Sequence, residues 1–292
     1  MSKGRPDRKS PLNAPVRRPD EGRLRGSAIF LSASVPKSER AAAFRRLPDA
    51  QREIEQAVVS LARALFAEGG RLVFGGHPSI SPLVALVAGE YLSAAQAEPL
   101  EANRNAQARR ADLSLTAPVI IHQLDAFRSE LPDATTHMEE LRQAVIQWHE
   151  SLPDERGVEW STDAPRYPKS LRRMRLAMLG DKPWFGERLR AMVCLGGMEG
   201  VFEEAALFHE LRHQPVYVLA RTGGASELLA RRDPVREVSV PDVPIVAIDE
   251  AVMQDVRPQL RGRDGESYDA PPRFAPYPVI MDALVRRVAE GQ

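Results

Sequence analysis

Residues 191–204 read Ala-Met-Val-Cys-Leu-Gly-Gly-Met-Glu-Gly-Val-Phe-Glu-Glu, and this stretch decides the fold. Its first five residues form an apolar run, which is typical of a buried parallel strand. Two glycines follow at once, and residues 201–212 form a predicted helix. Glycines after a strand let the backbone approach a ligand closely, and the amides at a helix start attract an anion. The stretch therefore predicts a strand, a ligand-facing turn and a helix.

The same order recurs along the chain and predicts the fold class. Short apolar runs predict five strands at 28–31, 71–74, 118–122, 191–195 and 216–219. Helices are predicted between and after them, at 54–66, 83–91, 136–148, 169–179, 201–212, 227–232 and 277–289. Such alternation implies a parallel sheet covered on both faces. We predict an α/β protein, with a Rossmann-like parallel sheet of about five strands and helices on both faces.

The remaining segments divide the chain into a tail and one domain. Residues 1–26 alternate basic residues, proline and aspartate with few apolar residues, so we expect a flexible basic tail. Residues 27–292 form the single predicted domain, whose C-terminal extension and helix cover about 234–292; within it, residues 234–276 have no clear placement. Residues 94–111 are predicted as a polar helix end or loop. Residues 151–168 are predicted as a long loop of the kind that covers a functional face.

Composition narrows the function classes. The formal net charge is zero, so the overall charge of the chain does not favour nucleic acid as a partner. The chain has one cysteine, which excludes an intramolecular disulfide framework. Because no apolar run approaches the roughly 20 residues that span a bilayer, we expect a cytoplasmic protein without a membrane partner. The expected partner is a small molecule. Whether the protein also forms a homo-oligomer stays open.

A second glycine turn has the same placement as the first. The predicted strand at 71–74 runs into Gly75, Gly76 and His77. In doubly wound sheets the ligand crevice lies beyond the carboxyl ends of the strands, where the strand order reverses. Two such turns together predict a pocket for a phosphate-bearing small molecule. Neither turn is a Walker loop or a dinucleotide fingerprint, which excludes ordinary kinases and dehydrogenases.

Three stretches together resemble the SLOG superfamily, named for the Smf/DprA and Lonely Guy proteins: residues 32–34, 73–77 and 195–204. The resemblance covers Ser27 to Arg232 and is closest to a bacterial cluster of that superfamily. It implies a Rossmann-like fold that binds nucleotides and their derivatives. Its Lonely Guy branch cleaves nucleoside 5′-monophosphates into base and ribose 5-phosphate, and some bacterial branches are inferred to be ligand sensors in antiviral conflict systems.

The glycine turns and the resemblance together give the candidate site. The predicted ligand-binding residues are Ser32, Ser34, Gly75, Gly76, His77, Arg172, Gly196, Gly197, Glu199 and Gly200. If the protein is an enzyme, the resemblance implies that Glu203, Glu204 and Arg175 are catalytic. Arg172 and Arg175 share a helix face, and which of them enters the site stays open. The choice between Glu203 and Glu204 stays open as well.

The chain departs from the Lonely Guy pattern Pro-Gly-Gly-x-Gly-Thr in three places. Leu195 replaces the proline, Val201 replaces the phosphate-contacting threonine, and the loop holds one extra residue. Loss of the threonine hydroxyl weakens hydrolysis more than binding. We therefore predict a sensor that binds a nucleotide or a nucleotide-derived molecule and works with a separately encoded effector protein. The alternative is a phosphoribohydrolase that cleaves the N-glycosidic bond of a nucleoside 5′-monophosphate.

Neither a cofactor nor a metal is predicted. His209 and His213 have the i, i+4 spacing of helical metal ligands, but no third ligand is apparent. A serine hydrolase is set aside because the chain lacks a Gly-x-Ser-x-Gly elbow.

Overall fold

Seven parallel strands form the centre of the protein. The structure is a computed structural model and describes residues 22–36, 44, 47–96, 117–159, 166–180, 188–232, 239–256 and 275–291. Within these ranges the strands are β1 (Ser27–Ser34), β2 (Arg71–Gly75), β3 (Val119–Leu124), β4 (Ala144–His149), β5 (Arg188–Gly196), β6 (Val216–Leu219) and β7 (Ile245–Ala247). They form one sheet in the order β4-β3-β2-β1-β5-β6-β7, and each neighbouring pair is parallel.

Helices connect the strands and cover both faces of the sheet. They are α1 (Ala50–Ala67), α2 (Ser81–Gln96), α3 (Asp133–Glu140), α4 (Pro168–Leu179), α5 (Glu199–Arg212), α6 (Gly224–Arg231), α7 (Ile248–Val256) and α8 (Tyr277–Glu290). One apolar layer joins α1, α2 and α8 to one face of the sheet. The other layer joins α4, α5 and α6 to the opposite face, where Phe30 of β1 stacks on Phe208 of α5. The predicted Rossmann-like α/β class is confirmed.

The strand order reverses between β1 and β5. From β1 the chain builds outward to β4, and then returns through α4 to place β5 on the free side of β1. The carboxyl ends of β1 and β5 therefore form the topological switch point, where open α/β sheets bind ligands. The glycine turn after β5 lies at this point.

The sheet has two strands more than the five that were predicted. The first is β4, which occupies the last five residues of the predicted helix from Thr136 to Trp148, whereas α3 covers its first five. The described helix there is only α3, and Arg142 follows it with a positive φ of 59°. Apolar residues recur at helical spacing through this segment, at Met138, Leu141, Val145 and Trp148. Pairing of β4 with β3 outweighs that period, because Val145, Ile146 and Trp148 suit a strand.

The second additional strand is β7, in the region that the sequence left unplaced. Its three residues pair with β6, and α7 follows immediately. The terminal helix α8 begins at Tyr277 as predicted and packs against α1. In its described residues, the C-terminal extension thus supplies one edge strand and two helices.

Several predicted segments fall partly outside the described ranges. Residues 1–21 of the predicted tail lie outside them, whereas Leu24 is buried and its amide donates to the carbonyl of Glu68. Most of the predicted loop at 94–111 lies outside them too, as do residues 160–165, 233–238 and 257–274. Among the helices that the structure describes, none is long and apolar enough to cross a membrane.

Candidate functional site

A hydrogen bond joins the two sides of the switch point. Ser32, near the carboxyl end of β1, donates its hydroxyl to Oε2 of Glu204 in the second turn of α5, at 2.5 Å. Ser32 is paired in register with Cys194 of β5, so it lies at the middle of the sheet. The bond therefore fixes Glu204 against the strand at which the sheet order reverses.

Arg175 of α4 brings both glutamates together. Its Nε donates to Oε1 of Glu204 at 3.1 Å, and its Nη1 forms an ion pair with Oε2 of Glu203. The other oxygen of Glu203 accepts from Nη1 of Arg172 at 2.9 Å. The Arg175 and Glu204 side chains are only 15% and 14% exposed, whereas Arg172 is 58% exposed. The four side chains form a network with balanced charge that runs from the sheet toward solvent.

The same arginine lies against the start of α5. A Cβ built on Gly200 would stand 2.8 Å from Nη2 of Arg175, so the guanidinium approaches the first turn of this helix as closely as glycine allows. The N-cap residue of α5, Met198, makes no side-chain capping bond. The first amides of a helix have no acceptor within the helix and carry a partial positive charge. The start of α5 and Arg175 therefore present donors to the same region.

The turn after β5 is held rigidly by the protein itself. Gly196 and Gly197 have positive φ angles of 65° and 84°, which side chains disfavour. The amide of Gly196 donates to Oγ1 of Thr222 at 2.8 Å, and the amide of Gly197 donates to the carbonyl of Ser34 at 2.8 Å. Neither amide is open to a ligand while these bonds hold. Within the part of the chain that the structure describes, the amides of Met198, Glu199 and Gly200 at the start of α5 have no hydrogen-bond acceptor and could bind an anion.

Val201 stands where the Lonely Guy pattern has a threonine, and its side chain belongs to the hydrophobic core. It is 4% exposed, and its Cγ2 lies 2.1 Å from the position that a Cβ on Gly197 would take. The side chain packs beneath the turn and not toward the crevice. This packing explains why position 197 has room for glycine alone.

The first glycine turn has a different construction. Gly75 and Gly76 do not adopt positive φ. The amide of Gly76 donates to the carbonyl of His122 at 3.2 Å, and its carbonyl accepts from Nε2 of Gln123 at 3.1 Å. Both glycines are partly exposed, as is His77. The turn therefore lies at the end of β2, next to β1, and residues of β3 hold it in place by hydrogen bonds.

His77 contacts its own loop. Its Nδ1 lies 2.9 Å from the hydroxyl of Ser79, and the amide of Ser79 donates to the same nitrogen at 3.3 Å. These contacts order the residues before α2, which begins at Ser81. The structure thus assigns His77 a local hydrogen-bonding role in this turn.

Sequence reasoning missed the residue that anchors α4. Glu155, in the loop after β4, is 4% exposed and accepts from the amides of Lys169 and Ser170, both at 2.9 Å, and from the Ser170 hydroxyl at 2.5 Å. Burial would raise the pKa of Glu155, but the bonds from Ser170 and the helix amides outweigh it and lower that pKa. Because the carboxylate caps α4 from a distant loop, no local sequence pattern reveals it.

A second feature that the sequence did not reveal is a histidine pair on β3 and β4. Nδ1 of His122 lies 2.9 Å from Nε2 of His149, and the rings stack at 5.1 Å. Burial, together with the nearby His149, lowers the pKa of His122 to about 3. Burial also lowers the pKa of His149, with Arg173 adding to the effect. The pair is neutral at physiological pH.

Other chemistry finds little support within the part of the chain that the structure describes. No group of three or more potential ligands there could hold a metal ion, and the rings of His209 and His213 pack edge to face. Cys194 is fully buried, and burial, followed by the nearby charge of Glu204, raises the pKa of its thiol. A thiol held protonated in this way is a poor nucleophile.

The fold and the polar network define a Rossmann-like α/β protein whose candidate site lies at the topological switch point. Residues 157–248 match the family model of the SLOG cluster3 family. This segment is therefore similar to the SLOG cluster3 family, and the resemblance to the SLOG superfamily predicted from the sequence is confirmed. The segment includes α4, the turn after β5 and α5, and so contains both arginines and both glutamates of the network. No curated protein and no solved structure matches the chain.

Proposed function

We propose that the protein binds a nucleotide or a nucleotide-derived small molecule at the carboxyl ends of β1 and β5. The observation that carries the proposal is the position of Arg175. Its guanidinium lies against Gly200 in the first turn of α5 and is held in place by Glu203 and Glu204. A cation fixed beside a helix start supplies both a charge and amide donors to one anion.

The site fits a phosphate joined to a polar group better than a free phosphate. Arg172, Arg175 and the first amides of α5 offer donors for the phosphate. Ser32 of β1 and Glu204 of α5 form a polar pair deeper in the site, next to which a sugar joined to the phosphate would lie. The SLOG cluster3 match agrees with a nucleotide-related ligand.

Two features of the turn favour binding over hydrolysis. Glu204 has both of its carboxylate oxygens engaged, by Ser32 and by Arg175. Val201 is buried beneath the turn and brings no hydroxyl to the phosphate. The protein is therefore proposed as a ligand sensor in a bacterial stress or antiviral system, acting through a separately encoded effector.

A phosphoribohydrolase is the second candidate, and one observation favours it. Glu203 and Glu204 lie side by side at the switch point, where a carboxylate would stabilise positive charge on a ribose during cleavage. Of the two, Glu204 is the better candidate, because Ser32 and Arg175 hold it in a single orientation.

A ligand screen by thermal shift tests the proposal. Nucleoside monophosphates, cyclic nucleotides and ADP-ribose are offered to the purified protein. Binding at a concentration one hundredfold above the Kd stabilises a protein by about 2.7 kcal/mol, so a true ligand raises Tm clearly. If the whole library leaves Tm unchanged at millimolar concentration, the proposed binding function is wrong.

Product analysis separates the two candidates. The protein is incubated for many hours with AMP and with every compound that raises Tm, and free base and ribose phosphate are measured by chromatography. A sensor returns the ligand intact. Base release by the parent that disappears in Glu204→Gln even at saturating substrate would identify the protein as a hydrolase and not a sensor, because the amide keeps the shape of the side chain and removes its charge.

A further inference from the structure

The two glutamates of the network are held in different ways. Among the described residues, Glu203 forms its polar contacts with two arginines: one oxygen accepts from Arg172 at 2.9 Å, and the other pairs with Arg175. Its side chain is 28% exposed and belongs to the outer part of the network. Two guanidinium groups that share one small anion are also the arrangement by which arginines bind a phosphate.

Glu204 is attached to the sheet. Oε2 accepts from Ser32 of β1, and Oε1 accepts from Nε of Arg175. A carboxylate bonded at Nε orients the guanidinium and leaves its two terminal nitrogens for other partners. One of these, Nη2, lies against Gly200, and the other, Nη1, is taken by Glu203.

We infer that Glu203 is an internal competitor for the anionic group of the ligand, whereas Glu204 is the residue that positions Arg175 for it. This inference rests on the proposed function, since it concerns the same site. A phosphate that takes a bidentate contact from Arg175 uses Nη1 as well as Nη2, the nitrogen beside Gly200, and Glu203 holds this Nη1 together with Nη1 of Arg172. A phosphate must therefore displace Glu203, while Glu204 keeps Arg175 in place.

The inference predicts opposite effects from two chemically identical substitutions. Glu203→Gln removes the competing charge and frees both arginines, so anions bind more tightly. Glu204→Gln removes the charge that orients Arg175, so anions bind more weakly. If both glutamates merely balanced the arginines or held the helices together, the two substitutions would shift affinity in the same direction.

Isothermal titration of AMP, ribose 5-phosphate and inorganic phosphate is the test. Glu203→Gln should lower the Kd of AMP about three- to tenfold, and Glu204→Gln should raise it at least tenfold. Glu210→Gln, at an exposed position near the end of α5, is the matched control and should leave it unchanged. Thermal unfolding confirms that each variant is folded.

A double substitution separates direct competition from long-range charge. In an Arg172→Gln background the gain from Glu203→Gln should shrink, because one of the donors that Glu203 blocks is gone. A gain of the same size in both backgrounds would overturn the inference, as would a Glu203→Gln protein that binds AMP no more tightly than the parent. If neither the parent nor Glu203→Gln binds any of the three probes or any compound of the thermal-shift library, the proposed function fails together with the inference.

Discussion

The hydroxyl of Ser32 and the carboxylate of Glu204 are 2.5 Å apart, although 172 positions of sequence separate them. The bond ties the end of the central strand to α5 on one face of the sheet. Through Glu204 it also reaches Arg175, so that β1, α4 and α5 meet in a chain of three side chains. The orientation of Arg175 thus depends on a residue of β1.

Replacement of Ser32 tests this dependence. Ser32→Ala leaves Oε2 of Glu204 partly buried without its donor, which should lower the free energy of unfolding by about 1–3 kcal/mol. Urea titration measures the loss, and Ser93→Ala at an exposed position of α2 is the control. A Ser32→Ala protein as stable as the parent would show that the bond contributes nothing.

Gly197 is predicted to tolerate no side chain, for two separable reasons. Its φ of 84° is strained for alanine, and the new Cβ would stand 2.1 Å from Cγ2 of Val201. Together these should cost about 2–4 kcal/mol in Gly197→Ala. In a Val201→Ala background the clash disappears and the strain remains, so Gly197→Ala should cost about half as much there. Equal costs in both backgrounds, measured by urea unfolding, would contradict the steric account.

The anchoring of α4 by Glu155 predicts a pH-dependent loss of stability. Glu155→Gln should cost about 1–3 kcal/mol at pH 7, because the charge that accepts from the helix amides is lost. The pKa of Glu155 is lowered in the fold, so its contribution is complete above the ordinary value of 4.5 and disappears as pH falls through the lowered pKa. Parent and variant should therefore converge in acid. A difference in stability that is the same at pH 7 and at pH 3 would argue against the charge as the cause.

The buried histidine predicts acid sensitivity over a different range. Burial and the neighbouring His149 lower the pKa of His122 from 6.5 to about 3, so between these values the unfolded chain binds a proton that the folded protein does not. Stability should therefore fall as pH drops from about 6.5 toward 3, by at most about 1.4 kcal/mol per pH unit from this residue. His122→Asn should flatten that slope, measured by urea unfolding at pH 5 and pH 7. The control His213→Asn should keep it.

The sequence was most informative where local pattern and tertiary position agree. The apolar run at 191–195 and the glycines after it predicted β5, the turn and α5. A buried strand requires apolar residues and a positive φ favours glycine, so both features can be recognised within one short segment. The sequence was misleading at the end of the predicted helix 136–148, where residues 144–148 form β4 and pair with β3 in spite of the helical spacing of their apolar residues. An edge strand such as β4 forms by pairing with a strand from another part of the chain, here β3, and the local sequence pattern gives no information about that strand.

The candidate site shows the same division. The resemblance implied roles for Arg172, Arg175, Glu203 and Glu204, but it left open which arginine and which glutamate enter the site; the structure joins all four in one network. The sequence did not reveal which atoms pair, that Thr222 and Ser34 occupy the amides of Gly196 and Gly197, or that Glu155 anchors α4. Each of these contacts joins segments that only the folded chain brings together.

The most direct test of the account is the affinity of the protein for AMP and ADP-ribose with and without Arg175. In isothermal titration the parent should bind at least one of them, and Arg175→Gln should weaken that binding at least tenfold, because the fixed cation beside α5 is lost. Arg286→Gln, on α8 against the opposite face of the sheet, should bind as the parent does. Equal affinity of the parent and a folded Arg175→Gln protein would contradict the central claim that this network is the ligand site.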